Sequence, residues 1–140
     1  MVSREDLESF LIRMSLNFEE VAEGMYAVRP DNDGASVVVH HSPPVLLVRL
    51  KVMDLPEVTN GLGDLYRTLL ELNATDIVHG AYGIEDGELI ISDTLELETL
   101  DFQELQASFE SVQLAASGHL SRIHDLAGIA PSQAQVTEEA

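Results

Sequence analysis

The stretch from residue 69 to residue 109, LLELNATDIVHGAYGIEDGELIISDTLELETLDFQELQASF, constrains the fold more than any other part of the chain. Leu69, Leu70 and Leu72 belong to a helix that ends on Asn73, a residue type that tolerates the left-handed cap conformation. Two β-type runs follow, over 77–84 and 88–94, and Glu85-Asp86-Gly87 between them is a tight-turn signal. Asp101 then opens a new helix as an acidic N-cap, with Glu104 three residues on in the capping-box position. A helix, a hairpin and a helix are thus written with almost no linker between them.

The N-terminal half supplies the remaining elements. Ser3 caps a first helix, with Asp6 three residues on, and Leu7, Phe10, Leu11 and Met14 give it one apolar stripe that fades near Asn17. Residues 18–24 read as a short connection. Strands are predicted over 25–28, stopped by Arg29-Pro30, over 37–41 and over 45–53, with Asp31-Asn32-Asp33-Gly34 and Ser42-Pro43-Pro44 as the intervening turns. Leu55-Pro56 breaks the chain, and a second helix is predicted from Glu57 or Asn60 to Leu72, its first turns weakened by Gly61 and Gly63.

The last helix carries Phe102, Leu105, Phe109, Val112, Ala116, Ile123 and Leu126 at helical spacing, and His119 falls where the stripe calls for another member. Unbroken to Ala127 it would be about 39 Å long, so Ser117-Gly118 is expected to bend or end it. The expected order is αβββαββα, an α+β two-layer sandwich with a five-stranded, mostly antiparallel sheet. Residues 1–128 form a single domain on this reading, and 129–140 an acidic disordered tail.

Charge and residue inventory narrow the function. Asp and Glu number 25 against 7 Lys and Arg, a formal net charge of −18, and Lys51 is the sole lysine. Such a surface repels phosphate backbones and anionic head groups, which argues against nucleic acid and membrane as partners and leaves proteins. Cys is absent, which excludes disulfides and thiol chemistry. There is no run of the length and apolarity of a membrane span and no signal-peptide layout at the N-terminus, so a cytoplasmic location is expected.

The candidate constellations fail on geometry. His40 and His41 are neighbours on a strand and point to opposite faces, so they cannot share a metal. His119 and His124 lie about 140° apart around a helix. Asp31-Asn32-Asp33-Gly34 lacks the later ligands of a calcium loop, since the EF-hand spacing reaches Ala35, Ser36 and Ser42. Gly61-Leu62-Gly63 is a fragment of a phosphate loop without its Lys-Ser/Thr. No Gly-x-Ser-x-Gly elbow occurs. No catalytic, cofactor-binding or metal-ligating residue is assigned, and no cofactor is expected. The residues themselves point to a non-catalytic protein-binding module, such as a regulatory adaptor, and the resemblance given below makes it chaperone-like. The alternative is a small-ligand sensor or small enzyme with a pocket between sheet and helices.

The 69–109 block resembles the second half of the type III secretion chaperone-like fold, and within it the YbjN family of bacterial sensory transduction regulators. The likeness rests on a helix ending in Leu-x-x-Asn-type residues and a strand with Gly80, Ala81 and Gly83. The acidic Gly turn, Leu95-Glu96-Leu97 and Leu100-Asp101 complete it. In element order it extends from Glu5 to His124. The resemblance implies a homodimer paired mainly through the second helix and adjacent strand. It also implies a sheet-and-first-helix surface that, in the secretion chaperones, binds an extended protein segment. Independently, Leu62, Leu65, Tyr66 and Leu69, with Leu70 and Leu72, give the second helix more apolar surface than covering a sheet requires. Those first four residues are the expected dimer interface.

Overall fold

A computed structural model describes residues 1–30, 35–57 and 61–128. The expected turn at Asp31–Gly34, a helix start at Asn60 and the acidic tail 129–140 lie outside the described residues. Element order is α1 (Arg4–Arg13), β1 (Asn17–Ala22), β2 (Met25–Arg29), β3 (Val37–Ser42), β4 (Val45–Asp54), α2 (Gly63–Thr75), β5 (Ala81–Glu85), β6 (Glu88–Glu96) and α3 (Phe102–Ala127). The six strands make one sheet in the order β1-β2-β3-β4-β6-β5, and every neighbouring pair is antiparallel. The α+β two-layer class is as expected, and the order is αββββαββα.

The additional strand is β1, where the sequence reads as a connection. Its residues NFEEVA are exposed at every position but Phe18, so no period-2 burial marks them. Pairing with β2 makes the strand, and a register irregularity between Glu20 and Ala22 lies just before its last paired residue. Its second edge is free, which is why a polar sequence suits it.

Capping chemistry sets the ends of α1 and α3. The Ser3 hydroxyl accepts from the Asp6 amide at 3.1 Å and the Asp6 carboxylate accepts from the Ser3 amide at 3.0 Å, a complete capping box. Donation from the Ser3 amide first, and from the Ser3 hydroxyl after it, holds the Asp6 carboxyl below its ordinary value. On α3 the Asp101 carboxylate accepts from the Glu104 amide at 2.7 Å. This helix runs unbroken through Ser117-Gly118 to a left-handed cap at Gly128. Its apolar stripe continues into Ile123, and that packing outweighs the roughly 1 kcal/mol helix cost of one Gly.

Helix α2 begins at Gly63, after the expected start at Glu57 or Asn60, and Leu62 in the N-cap position makes no side-chain capping bond. It also ends later, and Asn73 lies inside the helix rather than capping it. Residues 77–80 form a loop rather than the start of β5, tied to α3 where the Ser111 hydroxyl accepts from the His79 amide and donates to the His79 carbonyl.

The core fills the space between sheet and helices. Alternate residues Val37 and Val39 on β3, Leu46, Val48 and Leu50 on β4, and Leu89 and Ile91 on β6 face inward and are fully buried. Leu7 and Leu11 of α1, Leu65 of α2, and Leu105, Phe109 and Val112 of α3 close over them.

Candidate protein-binding surface

Because the helices lie on one side, the other face of the sheet stays open. The residues that alternate with the core set project there: Met25 on β2, Val38 and His40 on β3, Leu47, Arg49 and Lys51 on β4, and Ile90 on β6. They line a shallow hollow of about 360 Å³, apolar in its floor and charged along one rim. The rim is set by ion pairs across and along the strands. The Arg49 guanidinium donates to Glu85 at 2.5 Å, and the Lys51 ammonium lies 2.8 Å from Glu88 and 2.9 Å from Asp54. The hydrogen bond to Glu88, then that to Asp54, raises the Lys51 ammonium above its ordinary value. Half-exposed pairs of this kind orient side chains more than they stabilise the fold.

A second hollow lies between α1 and the start of α3. Phe10 meets Phe102 edge to face at 6.0 Å between centroids, and the Arg13 guanidinium stacks 3.9 Å from the Phe102 centroid. The free edge of β1 lies between β2's side of the sheet and solvent, close to α1 through contacts of those two elements. An open apolar sheet face, an unpaired strand edge and an aromatic groove are the means by which proteins hold extended or helical segments of other proteins.

His40 and His41 take opposite faces, as strand alternation requires. His40 lines the open hollow, while His41 Nε2 donates to the Val2 carbonyl at 2.8 Å on the α1 side. Leu65 is fully buried, Leu62 and Leu69 are buried with it in the chain's own core, and Tyr66 is half-buried beside them. Leu70, on the same helix, projects outward with 69% of its surface exposed. Among the described residues no three His, Asp or Glu side chains converge as a metal site would need, and no helix is long and apolar enough to cross a membrane.

One polar cluster escapes sequence reasoning. His119 Nε2 donates to the Asp76 carboxylate at the end of α2, and its Nδ1 lies 2.7 Å from the Tyr82 hydroxyl on β5. The only signal in the sequence is a histidine in an otherwise apolar helical stripe.

The family model CesT_Tir_1 matches residues 2–128. The chain belongs to this family of type III secretion chaperones. Among solved structures it is similar to a chain of the ExoU–SpcU complex of the type III secretion system of Pseudomonas aeruginosa, at 15% identity and a TM-score of 0.65. That match covers 86% of this chain and 96% of the other. A chain of the ExsC–ExsE complex is 16% identical with a TM-score of 0.63, covering 86% and 92%. YbjN from E. coli is 13% identical with a TM-score of 0.62, covering 86% and 93%. At these identities the likeness to the solved structures is one of fold. No relative matches among curated proteins.

Proposed function

We propose that this protein is a non-catalytic, chaperone-like binding module that holds an extended segment of another protein and works as a homodimer. The observation that carries this reading is the open sheet face with its apolar floor of Met25, Val38, Leu47 and Ile90, reached from the free edge of β1. Membership of the CesT_Tir_1 family supports it, as do neighbours solved as chaperone–effector complexes. The space between sheet and helices is occupied by core side chains, which favours a binding surface over an internal ligand pocket. A chain of net charge −18 that functions in the cytoplasm suits a basic or weakly folded protein partner and adds salt sensitivity to its association.

The dimer is assigned to α2 and the neighbouring edge strand β5. The helix carries Leu65 and Leu69 into the core, with Leu62 at its N-cap and Tyr66 half-buried against them, and turns Leu70 outward, so the outward side supplies the contact and the inward side fixes its position. Residues 1–128 act as one binding domain in this scheme.

The test is cross-linking of the native protein in its host, followed by mass spectrometry of the linked peptides. Links from one partner protein should map to β1, β2 and the open face, and the double variant V38E/L47E should lose them while keeping its circular dichroism spectrum. Links retained in full by that folded variant would refute the surface.

A further inference from the structure

The contacts of His119 cross three elements. Asp76 at the end of α2 accepts from Nε2, and the Tyr82 hydroxyl of β5 faces Nδ1 at 2.7 Å. The imidazole is only 11% exposed, so its ring nitrogens depend on these two groups rather than on water. A carboxylate offers acceptors alone, which fixes a proton on Nε2 whatever the charge of the ring. Charge is therefore gained or lost at Nδ1. In the neutral ring Nδ1 accepts from the Tyr82 hydroxyl. In the imidazolium, Nδ1–H donates to the Tyr82 oxygen, and the hydroxyl hydrogen needs a new acceptor. The Ala115 carbonyl, 3.5 Å from the same oxygen, is in place to take it.

We propose that Asp76, His119 and Tyr82 form a proton-tolerant clasp, joining α2, β5 and α3, which takes up a proton at His119 Nδ1 by turning the Tyr82 hydroxyl toward Ala115. The proton enters from solvent, the Nε2–Asp76 bond stays, and each hydrogen keeps an acceptor in both states. The titratable groups facing the ring are Asp76 from α2 and Tyr82 from β5. On α3 itself Ala115 and Ala116 precede it by one turn, and the exposed Arg122 and the buried Ile123 follow. Burial, and after it the Asp76 carboxylate, push the Tyr82 hydroxyl well above its ordinary value, so it stays protonated and serves as donor or acceptor as required. The backbone of His79, bonded twice to Ser111, is a second tie on the same loop. Together they keep the end of α2 seated while the charge at its base changes. This inference stands apart from the partner and dimer readings, since it concerns one chain.

Nitrogen-15 NMR of the His119 ring across about pH 5.5 to 7.5 tests the proton positions. Nε2 should stay protonated throughout and Nδ1 should gain its proton as pH falls. Exchange of the Asp76 and Ile77 amides, both bonded to the Leu72 carbonyl, reads the closure of the α2 end. After correction for intrinsic exchange, wild-type protection should agree within about twofold at the two pH limits. Tyr82→Phe keeps the ring but not the turning hydroxyl, and should lose about fivefold more protection at the acidic limit than at the neutral one. A neutral ring protonated on Nδ1 would overturn the proposal. So would a wild-type loss on acidification of about tenfold, or a Tyr82→Phe protein as indifferent to pH as the wild type.

Discussion

The Asn73 side chain meets the backbone of Tyr82 as a neighbouring strand would. Its Oδ1 accepts from the Tyr82 amide at 2.7 Å, and its Nδ2 donates to the Tyr82 carbonyl at 3.3 Å. β5 is the last strand of the sheet, and these are the groups it turns away from β6. One helical side chain thus completes the hydrogen bonding of an edge residue and locks α2 to the sheet. Asn73→Ala should lower stability by about 2 kcal/mol, because two half-buried backbone groups lose their partners. Asn73→Asp keeps the acceptor but sets a carboxylate against a carbonyl, and should cost at least as much. Urea denaturation of both variants checks this.

Gly80 sits at φ +87°, and a Cβ there would lie 2.8 Å from the Ser92 carbonyl oxygen. Gly80→Ala should cost about 1–3 kcal/mol through backbone strain and displacement of β5 from β6. Gly61, at φ +88° with open space around it, provides the comparison. Its Ala variant pays the strain alone and should be the milder of the two in thermal melts.

Removal of the α3 cap isolates a local term. Asp101→Ala deprives the Glu104 amide of its acceptor and should lower stability by about 1 kcal/mol, while Asp101→Asn should recover most of it. Chemical denaturation with an unchanged slope would confirm that the fold itself is retained.

Asp6 links α1 to pH. Its carboxyl is held below the ordinary value by Ser3, so the folded chain binds a proton there less readily than the unfolded chain. The stabilising contribution is complete above the unfolded value, near 3.8, and is lost as pH falls through the lower folded value. Carbon-13 NMR titration should place the Asp6 midpoint below 3.8, and Ser3→Ala should bring it back toward that figure. An unmoved midpoint in Ser3→Ala would separate Asp6 from its cap.

The homodimer predicts a mass in light scattering of twice the 15.3 kDa of one chain. Leu70→Asp should return it to a single chain without loss of helix content, since Leu70 faces outward. A wild-type mass of one chain across micromolar concentrations would exclude pairing through α2.

Local signals in the sequence determined the elements whose ends are chemically marked. Ser3 with Asp6, Asp101 with Glu104, the Glu85-Asp86-Gly87 turn, and alternation along β3 and β4 each act within a few residues, so their outcome was legible in order and class. The apolar stripe likewise determined the inward face of α3. Contacts between residues far apart in the chain decided the rest. β1 is a strand because β2 offers it a partner, not because its exposed residues alternate. Asn73 continues α2 instead of capping it because Tyr82 uses its amide. Ser117-Gly118 stays helical because Ile123 is buried beyond it. His119 has a role only where the ends of α2 and β5 converge on it, and the open hollow exists only once the helices have taken the opposite face. Short-range hydrogen bonds and periodicity act before the chain folds, whereas burial and pairing exist only after it has.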